Sequence, residues 1–204
     1  EAATRVLARH GARKFTTARV AEEAGVSVGS LYQYFPNKEA ILFRLQTDEW
    51  EQTRGVLEGI LARADQSPHE RLRALVLAFF QSERAEVALR AALRAAAPLY
   101  RDTPEARRRR KSDMKRAVSF IREVLPALPE EECRFVAAVV MTTLSAVGKA
   151  VSEEARTSAE VDAWAAAVAD MLVAYVEATR VRSSSAARLV CPSGTTYTRR
   201  GRRR

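Results

Sequence analysis

The chain has 204 residues, of which 47% are apolar, and it contains no run of the roughly 18 apolar residues that a membrane span needs. This predicts a soluble globular protein of one or two domains, with no membrane partner. The net charge of +9 gives little support to a nucleic-acid partner, because the basic excess is concentrated in residues 101–122 and 180–204. Any nucleic-acid interpretation therefore depends on sequence pattern.

The first ten residues already have a helical pattern, and the first residue is Glu1. We therefore expect that further residues precede Glu1 in the full protein. The two cysteines, Cys133 and Cys191, lie far apart, one in an apolar helical segment and the other in a polar tail. This argues against a disulfide framework and is typical of a cytoplasmic protein.

Prolines and small polar residues divide the chain into segments with helical periodicity, and none shows the alternation of a half-buried strand. The fold class is therefore predicted to be all-α. The predicted helices cover residues 1–10, 17–24, 28–34, 38–64, 68–97, 104–125, 129–154 and 159–181, and a break within the fifth is expected near residues 83–86. Residues 182–204 lose periodicity and are rich in Ser and Arg, which predicts a mobile basic tail. The arginine run at 107–111 is interpreted as a solvated helix face.

Residues 17–35 have the spacing of a helix-turn-helix unit. Ala21 is small enough to let two helices cross closely, and Gly25 is free to adopt the positive φ that ends a helix. Val26 is predicted to fill the angle between the helices, and Ser27 to cap the second helix. Leu31 is expected to face back toward the first helix, together with residue 35.

The outward face of the second helix is unusual because residues 26–37 carry no charge. Its members are Val28, Gly29, Ser30, Tyr32, Gln33 and Tyr34. A solvated helix would normally carry Lys and Glu here, whereas amide and hydroxyl groups suit the base edges of the DNA major groove. Gly29 costs about 1 kcal/mol of helix propensity, so we interpret it as permitting close approach to DNA.

The segment FTTARVAEEAGVSVGSLYQYFPNKEAIL, at residues 15–42, resembles the DNA-binding segment of the TetR family of bacterial transcriptional regulators. The resemblance extends over residues 6–50. It implies DNA contacts by Thr17, Ser27, Val28, Gly29, Ser30, Tyr32, Gln33, Tyr34 and Lys38. Within that set, the resemblance places Thr17 on a phosphate and the two tyrosines and Lys38 on the DNA backbone. Gln33, near the base edges, has the long amide that can read adenine.

Simpler roles remain open for three members of the set. Tyr32 could belong partly to the core, and Thr17 could serve as an N-cap, which is compatible with phosphate binding. Lys38 could be an ordinary surface lysine, although the first turn of a helix is unfavourable for a cation.

Beyond residue 50 the resemblance is one of architecture, and it implies a larger helical domain that binds a small apolar or amphipathic effector. The helix at 38–64 is predicted to place Phe43, Trp50, Leu57 and either Ile60 or Leu61 along one stripe, which connects the DNA-binding head to the helical body. The predicted effector pocket is lined by Trp50, Phe79, Phe80, Tyr100, Met114 and Phe120. The alternative is a close-packed core in which the alanines of 85–100 let helices approach.

The last two predicted helices carry heptad-like apolar repeats. Seams of this kind suit a four-helix bundle across a two-fold axis, although packing within one chain explains one seam equally well. With the family resemblance they predict a homodimer whose interface contains Val140, Leu144, Val147, Trp164, Val168, Met171 and Tyr175.

These observations predict a helix-turn-helix domain at 1–37, a ligand-binding and dimerisation domain at 38–181, and a basic tail at 182–204. The expected function is that of a TetR-like repressor that binds a palindromic operator as a homodimer and is released by an effector. The alternative is a basic helical protein that binds RNA or membrane surfaces through its Arg-rich segments. The two histidines have no partners at catalytic or ligand spacing, so we expect no enzyme, no metal and no cofactor.

Overall fold

The computed structural model describes residues 1–155 and 157–190, with side chains described as far as residue 183. All regular elements in these two ranges are helical, which confirms the all-α prediction. The α-helices there are α1 (Ala2–His10), α2 (Thr17–Ala24), α3 (Val28–Tyr32), α4 (Lys38–Leu61), α5 (Pro68–Ala85), α6 (Val87–Ala96), α7 (Pro104–Val124), α8 (Glu130–Glu154) and α9 (Ser158–Val190). Short 3-10 segments lie at Ala12–Lys14 and Ala97–Leu99.

Side-chain caps fix several of the helix starts. Asn37 accepts a hydrogen bond from the Ala40 backbone at the start of α4, with 2.8 Å between Oδ1 and N. Ser67 and Glu70 form a reciprocal capping box at the start of α5. The break predicted near residues 83–86 is confirmed, since α5 ends at Ala85 and α6 begins at Val87.

The last helix is longer than the sequence indicated. α9 continues to Val190, so residues 182–190 of the predicted mobile tail are helical and that part of the prediction is wrong. Runs of Ser and Arg mask helical periodicity because neither residue marks a buried face. Residues 191–204, including Cys191, lie outside the described part of the chain. Cys133 is a free, buried thiol.

The head consists of α1, α2, α3 and the first turns of α4 around one apolar cluster. Its buried members include Val6, Leu7, Phe15, Val20, Ile41 and Leu42. Three residues from the middle of the sequence join the same cluster: Leu93 and Ala96 of α6, and Tyr100 just after it. The head therefore packs on α6 as well as on α4, a contact that no sequence pattern indicated.

The body is formed by α5, α7, α8 and α9. Its core contains Leu72, Val76, Phe80, Ile121, Cys133, Val136, Leu144, Val161, Leu172 and Val176. Helix α5 lies at the centre and packs against α4, α8 and α9, while α7 packs mainly against α8. Helix α8 is long and apolar enough to cross a membrane by length and composition alone. Its packing against three body helices accounts for much of that apolar character.

Candidate nucleic-acid interface and effector region

The turn between α2 and α3 is closed by backbone hydrogen bonds. Gly25 adopts the left-handed conformation with φ 68° and ψ 29°, as predicted, and its N–H reaches the Ala21 and Glu22 carbonyls. The Val26 N–H also donates to the Ala21 carbonyl, at 3.0 Å. The Val26 side chain is 47% exposed, so the prediction that it fills the angle between the helices is wrong. Ala21 is instead buried, and Leu31 packs partly buried on the head core.

The start of α2 lies against the end of α3. Thr16 is the N-cap of α2, since its hydroxyl accepts from the Arg19 N–H at 3.3 Å. The N-cap role considered for Thr17 is therefore wrong. Thr17 is the first helical residue, and its hydroxyl lies 3.2 Å from the Tyr32 hydroxyl. The two predicted phosphate-contacting side chains are thus brought together beside the free N–H groups of a helix N-terminus.

Helix α3 presents its polar groups outward. Ser27 caps it by accepting from the Ser30 N–H at 3.0 Å, and the two serine hydroxyls lie 2.9 Å apart. The helix ends at Tyr32, slightly before the predicted end. Tyr32 is 50% exposed and Tyr34 is 79% exposed. A wholly buried role for Tyr32 is excluded, while Leu31 and Phe35 pack on the head core as expected.

Three cations near this surface were missed by sequence reasoning. Arg13, Lys14 and Arg19 are exposed and lie just before α2 or in its first turn. The Arg19 guanidinium donates to the Lys14 carbonyl at 2.8 Å, which fixes the loop beside Thr17. None of the three cations has a carboxylate within 4.0 Å among the described residues. The signal was present in the sequence as a short basic segment directly before the helix-turn-helix.

Comparison with protein-family models agrees with this geometry. Residues 1–45 match the family described as "Bacterial regulatory proteins, tetR family". Residues 67–179, more than half of the chain, match the family described as "Tetracyclin repressor-like, C-terminal domain". The chain belongs to the TetR family. It is a transcriptional regulator with a helix-turn-helix DNA-binding domain and a C-terminal ligand-binding domain, and regulators of this family are typically not enzymes.

Solved TetR-family structures share the fold. The fatty acid degradation regulator FadR from Bacillus halodurans is 22% identical with a TM-score of 0.64, and the match covers 84% of this chain and 90% of that chain. FadR from Bacillus subtilis in complex with stearoyl-CoA is 20% identical, with a TM-score of 0.63 and coverages of 84% and 94%. The ketosteroid regulator KstR2 of Mycobacterium tuberculosis is 21% identical, with a TM-score of 0.57 and coverages of 85% and 88%. Comparison with curated proteins gave no match.

Helix α4 connects the DNA-binding head of this TetR-family protein to its body. Lys38 is the first residue of α4 and is half-buried. Of the predicted stripe, Ile60 is buried, Phe43 packs partly buried on the head core, Leu57 packs partly buried on the body core, and Trp50 is partly buried. The buried face of α4 also includes Leu42, Glu49 and Thr53, which the prediction left out.

The predicted effector residues fall in three separate places. Phe79 and Phe80 are buried in the body core, and Met114 and Phe120 pack against the same core. Tyr100 is instead part of the head core, where its hydroxyl lies 2.8 Å from the Leu93 carbonyl. Trp50 lies under the guanidinium of Arg109, 5.2 Å from the ring centroid. The structure thus brings four of the six predicted residues together at the body core, whereas Tyr100 and Trp50 lie elsewhere.

Two cavities lie beside α4, and neither is lined by any of those six residues. The smaller is about 150 Å³ and is lined by Gln52, Thr53, Val56, Leu57, Ala78, Ser82, Ala85, Glu86 and Arg90. The larger is about 420 Å³ and is lined by Phe43, Thr47, Glu51, Arg54, Glu105, Arg108, Arg109 and Ser112. The second has a volume within the range typical of small-molecule sites, about 300 to 1,000 Å³.

The predicted dimer residues also divide into two groups. Val140, Leu144 and Val168 are less than 9% exposed and belong to the core of their own chain. The heptad repeat at these three positions reflects packing within one chain. The prediction that these three residues contact a second copy is therefore wrong. Val147 and Tyr175 pack partly against the same core. Trp164 and Met171, seven residues apart on α9, are exposed by 54% and 51%.

Proposed function

We propose that this TetR-family regulator is a cytoplasmic repressor that binds a palindromic operator as a homodimer and is released by a small apolar or amphipathic effector. The observation that carries the proposal is the exposed, uncharged face of α3 next to the start of α2. Ser30 and Gln33 offer hydroxyl and amide groups for base edges, and Gly29 leaves the backbone accessible.

The groups around this face suit the DNA backbone. The Thr17 and Tyr32 hydroxyls, 3.2 Å apart, lie beside the N-terminus of α2, where the helix dipole favours a phosphate. The exposed hydroxyl of Tyr34 and the cation of Lys38 would contact the phosphate backbone of the DNA. The flanking Lys14, together with Arg13 and Arg19, adds the positive charge that the face itself lacks.

The homodimer is supported by an exposed apolar surface on α8 and α9. Phe135 is 66% exposed, and Trp164 and Met171 are also more than half exposed. Large aromatic side chains and Met are enriched at protein interfaces, so a second copy is a suitable partner for this surface. A two-fold pair would present two α3 helices to successive major grooves, about 34 to 36 Å apart.

The effector is proposed from the family and from the position of α4. Similar structures include a regulator in complex with stearoyl-CoA and a ketosteroid regulator, which favours an apolar or amphipathic compound. Because α4 begins at Lys38, directly after the recognition unit, a shift of α4 would change the spacing of the two heads. A coupling of about 1 to 3 kcal/mol would change operator affinity about 5- to 150-fold.

Selection of bound sequences from a random duplex pool tests the proposal. We expect a sequence with dyad symmetry, and Gln33→Ala should relax selection at one base pair per half-site, at a cost of about 1 to 3 kcal/mol. Gln52→Ala is the matched control, since Gln52 is exposed on α4 outside the head. A recovered sequence without dyad symmetry would count against the dimer.

A truncated chain separates the repressor from a binder that acts through its basic tail. A chain ending at Val190 keeps α9 whole and removes the last five arginines. Sequence-specific duplex binding should survive this truncation. Loss of all binding would favour the RNA- or membrane-surface alternative.

A further inference from the structure

One arginine of the run at 107–111 differs from its neighbours. Arg107, Arg108, Arg110 and Lys111 are exposed on α7, as expected for a solvated face. Arg109 instead points inward, with its guanidinium over the ring of Trp50 on α4. Its burial lowers the pKa of the guanidinium, although Asp113 acts in the opposite direction. A charged group in such a position needs an anion to compensate its lost hydration.

Arg109 lines the cavity of about 420 Å³ between α4 and α7. These two helices are joined across the cavity by long side chains: Arg54 pairs with Asp113 at 3.3 Å, and Arg116 pairs with Glu58 at 2.9 Å. The backbones pack mainly elsewhere, α4 on α5 and α7 on α8. The cavity is therefore a gap between the helix that leads to the DNA-binding head and the helix that carries the arginine run.

Two arginines that line this cavity have hydrogen-bond donors without an acceptor among the described residues. These donors are Arg109 Nη2 and Arg54 Nε, and both atoms are buried. Within the described part of the chain Arg109 has no carboxylate within 4.0 Å, whereas Arg108 is paired with Glu105 at 2.6 Å. The Ser112 hydroxyl accepts from Arg116 at 2.7 Å and keeps its own proton to donate. Two guanidiniums and one hydroxyl, from both helices, thus border the same space.

We propose that this cavity binds the phosphate group of a small organic molecule, with Arg54, Arg109 and Ser112 as donors. A phosphate has enough acceptor oxygens for donors from both helices, and guanidinium groups match its geometry. The volume left beside the phosphate, next to the ring of Phe43, accepts a small apolar group. Glu51 and Glu105 also line the cavity, and their repulsion opposes any anion, a doubly charged one most strongly. The preference for phosphate over carboxylate therefore rests on the number of donors, which come from both helices and exceed what the two oxygens of one carboxylate can reach.

The regulatory part of this inference rests on the proposed function. A phosphate that bridges Arg54 of α4 and Arg109 of α7 would hold the two helices at one separation. Because α4 starts directly after the recognition unit, this clamp would fix the position of the head and so change operator affinity.

Isothermal titration calorimetry of the full chain tests the site with three probes at constant ionic strength: phenyl phosphate, inorganic phosphate and benzoate. We expect phenyl phosphate to bind tightest. Arg109→Gln and Arg54→Gln should each weaken it at least tenfold, and Arg107→Gln, a change in the exposed part of the same run, should leave it unchanged. Thermal melting should show that Arg109→Gln folds, because no described carboxylate lies within 4.0 Å of Arg109 and no ion pair of that length is lost.

Tryptophan fluorescence shows whether phenyl phosphate binds next to Trp50. The chain has two tryptophans, so a Trp164→Phe variant reports on Trp50 alone. Phenyl phosphate should change this signal with the same affinity as the calorimetry. Three results would overturn the phosphate site. Arg107→Gln could weaken phenyl phosphate binding as much as Arg109→Gln does, Arg109→Gln could leave the affinity for phenyl phosphate unchanged, or benzoate could bind as tightly as phenyl phosphate.

Operator binding distinguishes the two proposals. If phenyl phosphate binds with the expected dependence on Arg109 while operator affinity stays constant, the phosphate site is supported and its regulatory role is overturned. If the protein binds a palindromic operator but no probe binds, the phosphate site is overturned and the proposed repressor function stands.

Discussion

Arg90 of α6 and Glu49 of α4 form a buried ion pair, with 2.5 Å between Nη2 and Oε1 and with side chains only 7% and 4% exposed. The same guanidinium pairs with Glu83 of α5 and donates to the Thr53 hydroxyl at 2.8 Å. One arginine therefore joins α4, α5 and α6, the three helices that connect the head to the body. Nearby Arg94 extends the network by pairing with Glu83 at 3.1 Å.

Arg90→Ala should destabilise the protein by about 3 to 5 kcal/mol, because it leaves Glu49 buried without its cation and Glu83 with Arg94 alone. Arg73→Ala is the matched control, since Arg73 pairs with Asp170 at the surface and its loss should cost less than about 1 kcal/mol. Urea unfolding at one fixed protein concentration measures both. A cost for Arg90→Ala no larger than that for Arg73→Ala would show that this network does not hold the three helices together.

Glu49 should also make stability depend on pH. Burial raises the pKa of Glu49 above its ordinary value of 4.5, against the opposing effect of Arg90. A raised folded-state pKa means that the folded protein binds the proton more strongly. The contribution of Glu49 is then complete below pH 4.5 and is lost as the pH rises through the folded-state pKa. Relative to Glu49→Gln, the parent protein should become less stable over that window.

Urea unfolding of the parent and of Glu49→Gln at a series of pH values, at constant ionic strength, checks this direction. The difference between the two free energies of unfolding should fall with rising pH and then level off. A difference that grows with pH would mean that Arg90 lowers the pKa of Glu49 and that the ion pair outweighs the cost of burial.

The helices of the head and the turn between them were predictable because the residues that form them act locally. Gly25 at the positive φ and Ser27 at the cap determine the α2–α3 turn through contacts within a few residues. Val26 was misjudged because an apolar residue beside a turn is expected to be buried, whereas here its backbone N–H closes the turn and its side chain remains exposed.

The buried face of α4 could not be predicted from apolar periodicity. Two of its buried positions carry Glu49 and Thr53, which the sequence pattern indicates as solvent-facing; in the structure Arg90 pairs with Glu49 and donates to the Thr53 hydroxyl. This partner comes from a helix far along the chain. The same non-local packing placed Tyr100 in the head core, where no sequence pattern indicated it.

The dimer and effector residues show a related limit. Heptad spacing on α8 and α9 identified apolar positions but not which neighbour covers them. In the structure Val140, Leu144 and Val168 are buried in the core of their own chain, whereas Trp164 and Met171 remain exposed. The inward direction of Arg109 within an arginine run was equally invisible in the sequence.

Gly148 is expected to be required for the packing of α8 on α5. A Cβ built at this position would lie 2.9 Å from the ring of Phe79, which is itself buried. Gly148→Ala should therefore destabilise by about 1 to 3 kcal/mol despite the better helix propensity of alanine.

Gly55→Ala is the control for this change, because a Cβ there meets nothing within 4 Å. It should stabilise the exposed part of α4 by up to about 1 kcal/mol. Thermal or urea unfolding compares the two variants, and a neutral Gly148→Ala would mean that the Phe79 ring moves aside without cost.

Substitution of Gly29 should change DNA binding rather than stability, in contrast to substitution of Gly148, because the proposed role of Gly29 is contact with DNA. A Cβ at Gly29 would meet only the Ser27 hydroxyl, at an ordinary 3.7 Å, so folding does not require glycine there. Gly29→Ala should keep the stability of the head or raise it by up to about 1 kcal/mol. Operator affinity, measured by fluorescence anisotropy on the selected duplex, should nevertheless fall, because the added methyl group separates α3 from the groove. An unchanged affinity would show that the α3 backbone does not approach the DNA closely at Gly29, and would leave base readout to Ser30 and Gln33.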